Sequence, residues 1–132
     1  MTKAIDNLLD DSELSINVLK VLAENSFDSI LITDATQRTR IVYANKAFKS
    51  LTGYDPSDVI GKSPKILQGP ATDKKVTSQL VTAMSKNGRF EGKAINYKKD
   101  GTPFIMHWRV LPVKVERKTT AWIAIQRETH GI

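Results

Sequence analysis

Between Phe90 and Glu128 the chain alternates apolar and polar residues through three successive segments, and this constrains the fold more than any other feature. FEGKAINYK (90–98) runs to Lys99-Asp100-Gly101, TPFIMHWRVLPV (102–113) returns, and after KVERKT the segment TAWIAIQRE (120–128) closes the run. A period of two marks strands with one face buried, and Asp-Gly is a strong hairpin dipeptide. The spacing predicts a three-strand antiparallel meander. If Asn96 and Gln126 point inward, Phe90, Ala94, Trp122 and Ala124 share their face. On the middle strand Met106, Trp108 and Val110 fall on one face, with Ile105, His107 and Arg109 on the other. The outer set then includes Ile95, Tyr97, Ile105, Ile123 and Ile125. A sheet apolar on both faces predicts cover on both, from the N-terminal helix or a second copy of the domain.

The segments upstream are shorter. Residues 1–11 are polar and acidic and are expected to be loose. In SELSINVLKVLAENS, Leu14, Val18, Val21 and Leu22 recur at helical spacing, with Ile16 and Leu19 widening the stripe. SILITDA (29–35) and RIVYA (40–44) read as strands. Asn45 suits the N-cap of KAFKSLTG, which Gly53 ends, and Asp55-Pro56-Ser57 opens another turn. KSPKILQG is a further short turn, and Asp73 caps KKVTSQLVTAMSKNG, closed by Gly88. This order predicts an α+β domain: a five-stranded antiparallel sheet, helices on one face, and the N-terminal amphipathic helix outside. Residues 1–25 are read as leader and cap helix, 26–128 as the domain, and 129–132 as a tail or the start of a linker.

Composition narrows the function classes. The 132 residues carry a net charge of +6 and no cysteine, which excludes disulfides, thiolate metal sites and thiol catalysis. The lysines are scattered, with only Lys74-Lys75 and Lys98-Lys99 adjacent, so a solvated surface is expected rather than a nucleic-acid groove. No apolar run has the length of a membrane span and the first residues are not a signal peptide, so the chain reads as cytoplasmic, without a membrane partner. Carboxylates form no catalytic pair, and no phosphate loop, nucleophile–base pair or metal cluster appears. A binding module is expected, not an enzyme. Gln68, Asn96 and Gln126 are the chemical signal within it. An amide both donates and accepts, so three amides converging on one pocket would suit a flat heterocycle such as isoalloxazine.

The phrases ILITDATQRTRIVYANKAFKSLTGYDPSDVIGKSPKILQGPATD, INYKKDGTPF and IAIQRE resemble the PAS superfamily, and within it the light-oxygen-voltage (LOV) branch, from about Asn25 to Glu128. LOV domains hold a flavin between helices and sheet. The resemblance implies a non-covalent flavin, FAD or FMN, with Gln68 near the ribityl chain, Asn96 on the N3/O2 edge and Gln126 near O4/N5. Of the family segment G-x-N-C-R-F-L-Q only the glutamine is kept. Ser63 replaces the ribityl asparagine, Pro64 the adduct-forming cysteine, and Lys65 the phosphate arginine. A second phosphate arginine falls on Val81, a second asparagine on Met106, and a glycine on Ala124. Proline supplies no thiol, so cysteinyl adduct chemistry is not expected.

Two readings stay open. Phe90, Met106 and Trp108 either wall a ring or fill the pocket. The first gives a flavin-binding redox or light sensor, the second a ligand-free dimerisation and signal-relay module. Haem is not expected: His107 faces away by parity, His130 lies in the tail, and the long helix offers only Met84. A homodimer through the outer sheet face and N-terminal helix is expected in either case. Any enzymatic output would lie outside this chain.

Overall fold

The computed structural model describes residues 12–131. The expectation for residues 1–11 lies outside them. The elements are α1 (Ser12–Glu24), β1 (Ser29–Asp34), β2 (Ile41–Ala44), α2 (Lys46–Thr52), α3 (Pro56–Val59), a 3-10 turn (Pro64–Leu67), α4 (Lys74–Ser85), β3 (Phe90–Tyr97), β4 (Pro103–Val115) and β5 (Lys118–Thr129). The strands form one antiparallel sheet in the order β2-β1-β5-β4-β3, so the first and last strands meet in its middle. The expected α+β fold is observed. No helix among the described residues is long and apolar enough to cross a membrane.

Local chemistry fixes the helix ends as the sequence predicts. Asn45, Asp55 and Asp73 each accept a backbone N–H at their helix N-terminus, and Gly53 ends α2 in the left-handed region with φ of 79°. Two details differ. The left-handed residue after α4 is Asn87 (φ 55°), one place before Gly88. Asparagine tolerates this conformation because its short amide can bond locally. The β4–β5 connection is also tighter than KVERKT implied: Val115 pairs with Lys118 across a two-residue turn of Glu116 and Arg117, both at positive φ. The strand twist requires such a turn, although its usual residues are Asn and Gly.

The inward face matches the alternation. Leu31, Ala94, Phe104, Met106, Trp108, Val110 and Trp122 are buried on the sheet, and Phe48, Val59 and Leu67 pack down from the helical side. The outer face is not covered by α1. That helix buries no residue, and Ile16, Leu19, Val21 and Leu22 are more than half exposed. Its end is instead tethered. Asn45, fully buried, donates from Nδ2 to the carbonyls of Ala23 (2.7 Å) and Asp28 (3.0 Å), and Tyr43 donates to Glu24 (2.6 Å).

Candidate functional site

A cavity of about 520 Å³ lies between the inward sheet face, helix α4 and the turn at Ser63–Gln68. Sheet register explains its floor. Ser29, Gln126, Trp108 and Gly92 form one cross-strand row; Leu31, Ala124, Val110 and Phe90 form the next; Thr33 and Trp122 follow. Opposed residues in an antiparallel pair share a face, so each row presents its side chains together. Trp108 and Ala124 line the floor with Gln126, while Ser63, Pro64, Lys65 and Gln68 form one wall. Seven of the ten residues singled out from the sequence therefore meet here.

Three do not. Phe90, Met106 and Asn96 are buried but do not line the cavity. Asn96 stands opposite Phe104, and Met106 opposite Ala94, on rows beyond the one holding Gln126 and Trp108. Asn96 is four residues past Gly92 on its strand, about 13 Å along at the usual rise. Alternation gave its face correctly, and register places it on a different row from Gln126, outside the lining of this cavity. Phe90 backs the cavity instead, its ring tilted at 50° against Trp108 with centroids 5.1 Å apart. This pairing holds the indole to the floor, so Trp108 lines the space rather than filling it.

The polar groups on this floor are short of partners. Gln126 is 3% exposed, and its Oε1 accepts from Ser29 Oγ at 3.0 Å. Its amide nitrogen has no partner among the described residues. Thr33 Oγ1, in the cavity wall, is buried without any hydrogen bond. An unmade buried bond costs about 1–3 kcal/mol, so Thr33 gains from a partner within the cavity, and the Gln126 nitrogen is left with a donor to spare. Asn96 is also under-bonded, with one long contact of 3.4 Å to the Ala94 carbonyl. Thr33 was missed from the sequence, although alternation in SILITD puts it on the same face as Ser29 and Leu31. Thr77, Ser78 and Thr82 of α4, which line the mouth, left no comparable signal among ordinary helix-surface residues.

Of the residues lining the cavity only Lys65 ionises, so no acid–base pair faces the space. The conspicuous ion cluster lies on the outer face, where Glu91 meets His107 Nε2 (2.7 Å) and Arg109 Nε (3.2 Å) across β3 and β4. His107, then Arg109, holds the Glu91 carboxyl below its ordinary range. Beside Gln126, Arg127 grips Asp28 through two nitrogens at 3.1 and 2.7 Å.

Residues 28–130 match the family described as PAS domain. The chain belongs to the PAS domain family. It is LOV-like within it and has no cysteine. It is 42% identical over 76 residues to a blue-light-activated histidine kinase of Brucella anthropi, covering 58% of this chain and 16% of that protein. With Phototropin-2 of Oryza sativa subsp. japonica it shares 34% identity over 102 residues, 76% of this chain and 11% of that one. The PAS domain thus spans less than a fifth of these relatives. Among solved structures, the LOV domain of the Erythrobacter litoralis EL346 blue-light activated histidine kinase superposes with a TM-score of 0.74 at 28% identity, over 79% of this chain and 97% of that one. An RNA-binding light-oxygen-voltage receptor does so at 0.82 and 26%, over 89% and 34%.

Proposed function

We propose that this PAS domain is a sensory input module that holds a flavin, FMN or FAD, non-covalently and signals its redox or light-reduced state without a cysteinyl adduct. The observation carrying this reading is the buried, partnerless Thr33 Oγ1 together with the Gln126 amide, whose nitrogen has no hydrogen bond among the described residues, both lining a cavity of about 520 Å³. That volume falls within the range of about 300–1,000 Å³ typical of small-molecule sites. Its apolar floor of Trp108, Val110, Trp122 and Ala124 suits a flat ring, and the blue-light relatives support a flavin. The residues present fit the group, with Gln126 and Thr33 on the ring and Gln68 and Ser63 toward the ribityl chain.

A bound flavin supplies a ring nitrogen that accepts a hydrogen bond when oxidised and donates one when reduced. Gln126 presents its amide nitrogen to the acceptor, leaving Oε1 for Ser29. Turned over, it presents its oxygen instead, and Ser29 must change from donor to acceptor, which a hydroxyl can do. Such a change carries a signal only because the two states differ in their bonds. Ser29 follows Asp28, whose carbonyl is held by Asn45 and whose carboxylate is held by Arg127, so the row leads to the end of α1.

The exposed stripe of α1 and the outer isoleucines favour a homodimer. Ile123→Glu is expected to weaken it, and an unchanged sedimentation profile would contradict that interface. The flavin reading is tested by the absorption spectrum of purified protein, alone and after adding FMN or FAD. A flavin band that stays with the protein through gel filtration supports it. Free flavin in both cases sinks it and leaves a ligand-free relay module.

A further inference from the structure

Resting on that reading and going beyond it, we infer that the cavity recognises the uncharged ring and polyol of its ligand and is nearly indifferent to a terminal phosphate. The inference comes from the make-up of the mouth. Thr39, Ser63, Thr77, Ser78 and Thr82 surround it with hydroxyls, and Lys65 is the one cationic residue lining the cavity among the described residues. The hydroxyls keep capacity to spare. Thr77 Oγ1 donates to the Lys74 carbonyl at 3.1 Å, and Ser63 Oγ accepts from Lys65 N at 3.2 Å. A hydroxyl has one donor and two acceptor sites, so Thr77 can still accept and Ser63 can still donate. Groups of this kind match a chain of alcohols.

A phosphate finds much less. Lys65 is exposed on the short 3-10 turn, where its ammonium is a mobile, hydrated point charge. One exposed ion pair is equivalent to an affinity gain of about fivefold at most, and salt screens it. Val81 stands at the mouth on α4, 61% exposed and without charge. The bidentate grip that a guanidinium gives an oxyanion is therefore absent from this wall. The site is thus assigned to the riboflavin class, with FMN accepted through its riboflavin portion.

The test is a fluorescence titration of the flavin-free 132-residue chain with riboflavin and with FMN, at low and at physiological salt. Expected are dissociation constants within about fivefold of each other, converging as salt rises. Lys65→Gln should change riboflavin binding little and reduce FMN binding by about fivefold at most. Val81→Arg, at the exposed mouth of the cavity, should tighten FMN about tenfold or more relative to riboflavin. FMN bound more than about twentyfold tighter than riboflavin by the unaltered protein overturns the inference and leaves the flavin reading intact. Failure of both ligands to bind overturns the flavin reading and this inference with it.

Discussion

Asn45 is the residue whose replacement tests most directly how the cavity sheet holds α1. Its side chain is fully buried and uses its whole hydrogen-bonding capacity. Oδ1 accepts from Ile30 N (2.8 Å) and Phe48 N (3.2 Å), while Nδ2 donates to the carbonyls of Ala23 (2.7 Å) and Asp28 (3.0 Å). Two donors below and two acceptors above leave one possible orientation of the amide. At a net ~1 kcal/mol for each bond, Asn45→Ala should cost about 4 kcal/mol, somewhat less if water enters. That is a large part of the ~5–15 kcal/mol that holds a domain folded, so the variant should fold with a much lower urea midpoint. Asn45→Asp separates the two halves of the role. It keeps an acceptor for Ile30 and Phe48, and a carboxylate is welcome at a helix start. Its second oxygen, however, faces two carbonyls and repels them. Hydrogen exchange should therefore show Ser12–Glu24 losing protection in the Asp variant while β1, β4 and β5 keep theirs. A loss below ~1 kcal/mol in Asn45→Ala, or α1 protected as before in Asn45→Asp, would refute this account.

Other perturbations test the row of side chains beneath the cavity and the tether beside it. Ser29→Ala leaves the Gln126 oxygen without its partner, at an expected cost of about 1–3 kcal/mol in urea denaturation, and should shift the absorption fine structure of bound flavin. Gly92→Ala would bring a methyl carbon within 2.5 Å of Phe90 Cζ, displacing the ring that supports Trp108; altered tryptophan emission and weaker flavin binding are expected. Ala124→Gly removes a methyl from the cavity floor and should tighten ring binding in titration, while costing ~0.5–1 kcal/mol of stability. Burial first, and then the bond to Glu24, push the Tyr43 phenol up from 10.0 to about 12. The folded value lies above the unfolded one, so this contribution is whole below pH 10 and is lost as pH rises toward about 12. Tyr43→Phe should abolish that alkaline step in tyrosinate absorbance and in stability.

Faces were readable from the sequence, and rows were not. Period-two alternation correctly put Asn96, Trp108 and Gln126 on one side of the sheet, because it depends only on pleat and burial. Which of them meet depends on register, and register is set at the turns. Glu116-Arg117 carries none of the residues that announce a two-residue hairpin, so its position was hidden. The pairing it starts, Val115 with Lys118, would if continued set Trp108 against Ile125. Between Val113 and Lys114 the register shifts by one residue, taken up at Thr120 on β5, whose hydroxyl donates to the Val113 carbonyl at 3.1 Å. One extra residue in a strand is a β-bulge, and this one moves Trp108 opposite Gln126. The cavity floor is therefore assembled by a bulge five or six residues away from Trp108 and Gln126 and by the turn beyond it, in a segment, KVERKTT, without a turn dipeptide to read. The same logic explains Asn96. Its place on the inward face was legible, and so was the pairing of Gly92 with Trp108, which runs unbroken from the Asp100-Gly101 turn; its separation from Gln126 depends also on the pairing of Trp108 with Gln126, which the bulge sets and no local motif records.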